Sequence, residues 1–381
     1  MKIALSDSGF HQRFKPLTFA KPVGALRVGM FTNLERWKLL LPEAEIFFRT
    51  ESYLEGKFPR CESPDYTIDA SVIPDHQLAE ALKILDKGQG LTLGGKVIVQ
   101  CGNGSNSEIQ YDGSPIKLEQ LWDFFQQNDH ILRQDFELAT KNKKSQELPA
   151  SNTLIGGKEQ LFIEEGASIQ AATINVASGP VYIGKDAEVM EGSLIRGPFY
   201  LGEHAAIKMG AKVYGATTIG PHCKVGGEIS NVIFQGYSNK GHDGFLGNSL
   251  IGEWCNLGAD TNSSNLKNNY SPIRVYSYEK GNFIQTELLF MGLVMGDHGR
   301  SGINTMFNTA TVVGFSSNVY GSDFPKKFIP SFSWGGADGF VPFEKEKAIE
   351  AAKAMMQRRK IEFGSADQQI FDFLYSQTFL E

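Results

Sequence analysis

The chain has 381 residues, which allows two domains of ordinary size. Its formal net charge of −6 argues against a nucleic-acid-binding protein, because such a protein needs a basic face. Four cysteines without a CxxC pair indicate neither a disulfide framework nor a zinc site. No apolar run approaches the roughly 20 residues that cross a membrane, and the N-terminus lacks a signal peptide's apolar core. We therefore expect a cytoplasmic protein.

The first informative segment is SGFHQRFKPLTFAK, residues 8–21, which follows the predicted strand KIAL. It resembles the start of the sugar-nucleotide pyrophosphorylases, where a strand precedes G-x-G-[ST]-R-x-x-P-L-T. The resemblance implies that Gly9, Arg13 and Lys21 bind a nucleotide. Catalysis is disfavoured by two departures, because His11 and Gln12 replace a glycine and a hydroxyl residue where backbone must approach phosphate.

The same resemblance assigns a metal ligand further along the chain. Asp69, in the predicted strand YTIDASVIPD (66–75), would be the family's metal-binding aspartate, with Mg²⁺ as the cofactor if the domain is active. The region before the repeat is shorter than a complete nucleotidyltransferase. We expect residues 1–142 to form a truncated, Rossmann-like α/β domain of that type.

A predicted amphipathic helix in 117–144 and a polar linker, 143–154, lead into a six-residue repeat. Eight consecutive sextets from residue 183 begin with an aliphatic residue, and their fifth place is mostly small. The first places are held by Ile183, Val189, Ile195, Leu201, Ile207, Val213, Ile219 and Val225. The phase resumes at Phe245, Ile251 and Leu257, and again from Met295. A period of six suits a triangular coil with one hexapeptide on each side.

This pattern resembles the left-handed parallel β-helix of the hexapeptide-repeat acyltransferases. The resemblance implies a β-helix over about 155–338, assembly as a homotrimer and active sites in the grooves between copies. Two predicted helices follow in 339–381, which we expect to form a helical cap on the open end of the solenoid. Contact between copies is the alternative role of these helices.

The repeat breaks at NKGHDGFLG, residues 239–247, which we interpret as a loop that leaves the coil. The stretch from Asn239 to Asn265 resembles the acetyltransferase half of the bifunctional N-acetylglucosamine-1-phosphate uridyltransferase/glucosamine-1-phosphate acetyltransferases. The resemblance implies that His242 is the catalytic base, with Asn256 and Asn265 as catalytic partners. A neutral imidazole suits this role, because an amine loses a proton as it attacks a thioester.

The substrate-binding residues match that family less well. Lys212, which stands closest to the place of a sugar-phosphate-binding arginine, and Lys240, two residues before His242, are our candidates for binding substrate. Leu266 replaces the tyrosine of the family's Asn-Tyr segment. A second group, Asp297, His298 and Arg300 in MGDHGRSGIN, is a further candidate for binding a phosphorylated substrate. Asp and Gly also suit tight β-helix corners, so a structural role remains the alternative. The run from 292 to 336 resembles an alternative bacterial form of the same bifunctional enzymes.

These observations lead to three hypotheses. The first is an acetyl-CoA-dependent N-acetyltransferase acting on a sugar phosphate or nucleotide sugar. The second is a sugar-1-phosphate nucleotidyltransferase that uses the N-terminal domain. The third is a trimeric binding protein that has lost both activities. No nucleic acid or membrane partner is expected in any of them.

Overall fold

The computed structural model describes residues 1–104 and 107–378, and its chain forms two compact units. The first unit contains 1–27 and 31–123, and the second contains 28–30 and 124–381. The helix that precedes the repeat belongs to the second unit except for its first residue. The first unit therefore ends at Asp123, earlier than the boundary at Asn142 expected from the sequence.

The first unit is built on one mixed sheet. In spatial order its six strands are Glu45–Arg49, Lys2–Ser6, Tyr66–Asp69, Lys96–Cys101, Gln89–Leu93 and Ser107–Gln110. The first three are parallel, so their carboxyl ends meet at one edge, and the fourth runs antiparallel to the third. The α-helices are Phe10–Arg13, Asn33–Leu40 and His76–Lys83, with 3₁₀ turns at Val23–Ala25 and Ser52–Leu54. Two short strands, Arg27–Val28 and Phe31–Thr32, flank the point where the chain changes units.

The second unit is a parallel β-solenoid of the left-handed β-helix type with three faces. Face 1 consists of Leu161–Ile163, Val181–Ile183, Phe199–Leu201, Thr217–Ile219, Ile233–Gly236, Leu250–Glu253, Val294–Met295, Val312–Val313 and Phe328–Ile329. Face 2 consists of Ser168–Ile169, Glu188–Val189, Ala206–Ile207, Lys224–Val225, Asn239–Lys240, Asn256–Leu257, Arg300–Ser301, Asn318–Val319, Ser333–Gly336 and the antiparallel Gly339–Pro342. Face 3 consists of Thr153–Ile155, Thr173–Asn175, Leu194–Arg196, Lys212–Tyr214, Glu228–Ser230, Phe245–Gly247, Asn262–Ser263 and Met306–Phe307.

The hexapeptide pattern explains the interior of this solenoid. All eight first-place residues of the sextets from 183 are at most 2% exposed and stack in the core. The small fifth-place residues Ala187, Ala205, Ala211 and Cys223 are buried too, where the chain turns. The predicted inward direction is therefore confirmed for this stretch. Where the repeat resumes after residue 244, the predicted inward position is wrong by one residue. Leu246 points inward, whereas Phe245, the predicted inward residue, is half-exposed.

The interpretation of NKGHDGFLG as a loop that leaves the coil is wrong. The coil from Ala206 to its pairing partner Lys224 holds three full sextets, whereas the coil from Lys224 to its partner Asn239 is shorter by half a sextet. The repeat is thus shortened in the coil that leads into NKGHDGFLG. The real excursion comes later, in the long segment between Leu250 and its pairing partner Val294. It carries a hairpin of two antiparallel strands, Arg274–Ser277 and Asn282–Gln285.

Three helices pack on the solenoid. The helix Asp123–Thr140 contacts face 1, where Asn128 donates to the carbonyl of Ala216 and to Thr218 Oγ1. The helices Lys345–Gln357 and Ser365–Thr378 follow the last coil, and Phe371 of the second helix packs on His298, Phe315 and Phe332. The two C-terminal helices therefore lie along the side of the solenoid. Within the described ranges, no helix combines the length and the apolar character that a membrane crossing requires.

Candidate functional site

His242 lies at a corner between faces 2 and 3. Residues 241–244 connect the strands Asn239–Lys240 and Phe245–Gly247, and the His242 side chain is exposed to solvent. It lines an open pocket of about 490 Å³. Asn256, on the next strand of face 2, lines the same pocket. Two of the three predicted catalytic residues are thus brought together.

Four cationic side chains complete this pocket, which we call the His242 pocket. Lys208 and Lys224 come from two coils of the solenoid, and Arg358 and Arg359 come from the end of the helix Lys345–Gln357. Arg359 Nη2 donates to Asn239 Oδ1 at 3.1 Å, which fixes this end of the helix on face 2. Several positive charges around one concave surface favour an anionic ligand such as a phosphate.

Sequence reasoning missed the two arginines. They belong to the segment QRRK, residues 357–360, which has the basic composition that is common at the C-terminal end of a helix. The sequence signal was only two adjacent arginines, and their place beside a histidine much earlier in the chain depends on how the helix packs. Tyr237 also lines the pocket and belongs to a corner stack of rings. That stack runs His204, His222, Tyr237, Trp254 and His298.

The predicted role of Lys240 in binding substrate is wrong. Its side chain points into the solenoid, where it continues the inward column formed by Val225 and Leu257, and it is 0% exposed. Lys240 Nζ donates to the backbone carbonyls of His242, at 3.0 Å, and of Asp243, at 2.9 Å. Burial lowers the pKa of this amine to about 8, against the raising effect of Asp243 and Asp260.

Asp297 and His298 form a buried corner, so their predicted role in substrate binding is also wrong. Asp297 Oδ1 accepts a hydrogen bond from the backbone of Glu253 at 2.7 Å. His298 is 7% exposed and packs against Trp254 and Phe371. The structural alternative holds for both residues. Arg300 differs, because it lies on the outside of face 2 beside Asn256, and burial lowers its pKa.

Asn265 and Lys212 are not among the residues that line the His242 pocket. Asn265 occupies the corner where the long excursion begins, and its amide donates to Asn248 Oδ1 at 2.8 Å. Lys212 is exposed on face 3, with its amine 3.9 Å from Glu228. The same carboxylate accepts from the Tyr214 hydroxyl, and this hydrogen bond raises the Tyr214 pKa to about 12. The structure therefore does not support the predicted roles of Asn265 and Lys212 at this pocket.

In the first unit, the segment after the first strand is folded onto itself. His11 is buried, with Nδ1 3.0 Å from Asp7 Oδ2 and Nε2 3.2 Å from the Tyr53 hydroxyl. Thr18 Oγ1 donates to the His11 carbonyl at 2.6 Å. The bulky His11 side chain thus faces inward, and its contacts with Asp7 and Tyr53 stabilise the segment.

The predicted nucleotide-binding residues of this segment differ in accessibility. Gly9 is exposed and has a left-handed φ of 84°, and a Cβ there would meet nothing within 4 Å, so conformation alone favours glycine. Arg13 is half-buried and donates to the Glu119 carbonyl at 3.3 Å. Lys21 is only 3% exposed, so it does not present its charge to a ligand as predicted.

Asp69 does not fit the predicted Mg²⁺ site. Its Oδ1 accepts from the backbone and hydroxyl of Ser71, and its Oδ2 lies 2.9 Å from Lys117 Nζ. The ammonium of Lys117 therefore already supplies the positive charge that a metal would bring. Across residues 1–104 and 107–378, no group of three or more His, Cys, Asp or Glu side chains could hold a metal ion.

A comparison with protein families finds a match for the N-terminal region of the chain. The model of a family described as sugar nucleotidyl transferase matches residues 3–144. The N-terminal region is similar to these enzymes. No curated protein sequence matches the chain.

Solved structures of acyltransferases resemble the chain at low identity. A UDP-N-acetylglucosamine acyltransferase from Campylobacter jejuni shares 14% identity over 60% of this chain and 95% of its own, with a TM-score of 0.27. A mutant of AntD, an N-acyltransferase from Bacillus cereus, solved with dTDP and coenzyme A, shares 12% identity over 54% of this chain and 91% of its own, with a TM-score of 0.24. An Arabidopsis UDP-N-acetylglucosamine acyltransferase shares 12% identity over 61% of this chain and 95% of its own, with a TM-score of 0.23. At such scores these proteins carry no argument about the reaction of this chain.

Proposed function

We propose that the solenoid unit is an acyl-CoA-dependent N-acetyltransferase whose acceptor is a sugar phosphate or a nucleotide sugar. The observation that carries this proposal is the His242 pocket, in which one exposed imidazole shares a concave surface with four cationic side chains. Such charges suit the phosphate groups of the acceptor and of coenzyme A, which is a substrate in this reaction.

In the proposed reaction the acceptor amine attacks the thioester carbon, and His242 takes the proton that the amine loses. The carbon–sulfur bond then breaks, and coenzyme A leaves as a thiol after the proton returns to sulfur. Asn256 would orient the acceptor by a hydrogen bond from its amide. Arg358 and Arg359 would hold the phosphate, which keeps the amine near the thioester.

The experiment that tests this proposal measures coenzyme A release from acetyl-CoA with glucosamine-1-phosphate as acceptor. We expect acceptor-dependent release by the wild type and a loss of 100-fold or more in His242→Ala, which is the usual size of general base catalysis. His204→Ala is the matched control, because His204 is also exposed on the solenoid but lies outside the pocket. Equal rates for wild type and His242→Ala would exclude His242 as the base.

The predicted homotrimer remains part of this proposal. Met209 and Ile303 are each 70% exposed, and each lines a hollow that also contains His242. Large apolar side chains beside a candidate site favour coverage by a second copy. Light scattering of the wild type is expected to give three times the chain mass of 42.0 kDa, and Met209→Glu combined with Ile303→Glu is expected to give one. A monomeric wild type would contradict this assembly.

A second candidate function, nucleotidyl transfer by the first unit, is supported by the family match over 3–144. The pairing of Asp69 with Lys117 counts against it, since the expected metal ligand is engaged. Release of pyrophosphate from UTP and N-acetylglucosamine-1-phosphate, with Mg²⁺ present, would establish this activity. We expect no release, because Lys117 already pairs with the expected metal ligand.

A further inference from the structure

In the inward column of face 2, Lys240 stands between two aliphatic neighbours, Val225 and Leu257. Ile207, Val225 and Leu257 are at most 2% exposed in this column, and Lys240 lies between the last two with 0% exposure. A leucine or valine at this place would continue the hexapeptide rule. Because an ammonium group loses much of its hydration in such a core, an unneeded lysine here would be disfavoured.

The amine of Lys240 is directed at the corner that carries His242. It donates to two successive carbonyl oxygens, those of His242 and Asp243, at 3.0 and 2.9 Å. These two hydrogen bonds tie residues 241–244 to the interior of the solenoid. The corner also follows the shortened coil, in which Lys224 pairs with Asn239.

We infer that Lys240 is a positioning residue, which fixes the His242 corner from inside the solenoid and thereby fixes the direction of the imidazole. This inference rests on the proposed function of the His242 pocket. Lys240 is buried and does not touch the pocket surface, so it acts on the reaction only through the backbone of His242.

An aliphatic side chain would not define the corner in the same way. The carbonyls of His242 and Asp243 accept from an amine that is buried in the solenoid, so they are directed at the interior. Without the lysine these two carbonyls would lose their donor where water is excluded. The lysine therefore adds a defined corner geometry that an aliphatic residue would not provide.

The test compares Lys240→Leu with Val319→Ala and the wild type. Val319 lies in the same inward column beyond the pocket, so its truncation weakens the core without touching the His242 corner. For Lys240→Leu we expect a lower melting temperature, a kcat reduced 10-fold or more, and an unchanged KM for glucosamine-1-phosphate. For Val319→Ala we expect a lower melting temperature and an unchanged kcat. Wild-type kcat in Lys240→Leu would overturn the inference.

A readout that needs no activity separates this inference from the proposed function. Backbone hydrogen exchange of residues 241–244 is expected to be at least 10-fold faster in Lys240→Leu than in wild type, and unchanged in Val319→Ala. Faster exchange in a protein whose wild type releases no coenzyme A would keep the positioning role and reject the acetyltransferase. Unchanged exchange would overturn the positioning role. If Lys240→Leu does not fold, Lys240→Gln, which retains a shorter donor, takes its place with the same expectations at smaller size.

Discussion

The predicted site residues of the two units differ in their accessibility to a ligand. In the solenoid, His242 and Asn256 are exposed on the wall of an open pocket, with cationic side chains around them. In the first unit, Asp7, His11 and Asp69 are buried and bound to neighbouring side chains of the same unit. The first arrangement leaves polar groups available to a ligand, whereas the second uses them to hold the unit together.

The comparison shows that a sequence pattern can be preserved in a region whose polar residues are not accessible to a ligand. The first unit keeps enough of a nucleotidyltransferase pattern to match that family, yet Lys117 neutralises the aspartate on which metal binding would depend. In the solenoid, the residues that were predicted to bind substrate do not line the His242 pocket, yet this pocket is concave and cationic. Substitutions of these residues should therefore act on stability in the first unit and on activity at the His242 pocket.

The largest expected effect is the loss of the Lys117–Asp69 pair. Lys117→Met leaves the Asp69 carboxylate buried without its cation, and we expect the first unit to lose about 3 kcal/mol of unfolding free energy. Thermal and urea unfolding would measure it. Lys96→Met is the control, because Lys96 is exposed and should change stability by no more than about 0.5 kcal/mol. Equal stability of Lys117→Met and wild type would mean that Asp69 does not depend on Lys117 and is available to bind a metal ion.

The next effect is a pH dependence caused by Lys240. Its pKa is lowered from 10.5 to about 8 in the fold, so between these values the unfolded chain binds more protons than the folded one. Stability therefore rises with pH across this window, by about 3 kcal/mol at most for the full shift. The melting temperature of Lys240→Leu relative to wild type should accordingly fall from pH 8 to pH 10.5. Lys347→Met, at an exposed lysine, should show a constant difference, and a constant difference in Lys240→Leu would refute the buried charge.

A smaller effect is expected for the two arginines of the His242 pocket. Arg358→Ala combined with Arg359→Ala removes two charges that would hold the acceptor's phosphate, each worth about 1 kcal/mol at a partly exposed site. We expect the KM for glucosamine-1-phosphate to rise about 10-fold or more, with kcat within twofold of wild type. Lys347→Ala on the same helix is the control. A fall in kcat without a change in KM would place the arginines outside phosphate binding.

The sequence predicted the fold of the solenoid well, because the hexapeptide period records which residue of each sextet points inward. It predicted that His242 and Asn256 belong to one site, and both line the His242 pocket, because Asn256 pairs with Asn239, three residues before His242. It failed for Lys240, where the shortened coil places a charged residue in an inward position that the pattern reserves for aliphatic side chains. It failed also for Arg358 and Arg359, because no local pattern shows on which coil a distant helix packs.

The most direct test of the central claim is a steady-state comparison of wild type, His242→Ala and His204→Ala with acetyl-CoA and glucosamine-1-phosphate, accompanied by their melting temperatures. We predict that His242→Ala loses 100-fold or more of kcat with an unchanged melting temperature, because the exposed imidazole contributes chemistry and little stability. His204→Ala should match wild type in kcat. Full activity of His242→Ala, or a loss of the same size in His204→Ala, would contradict the account.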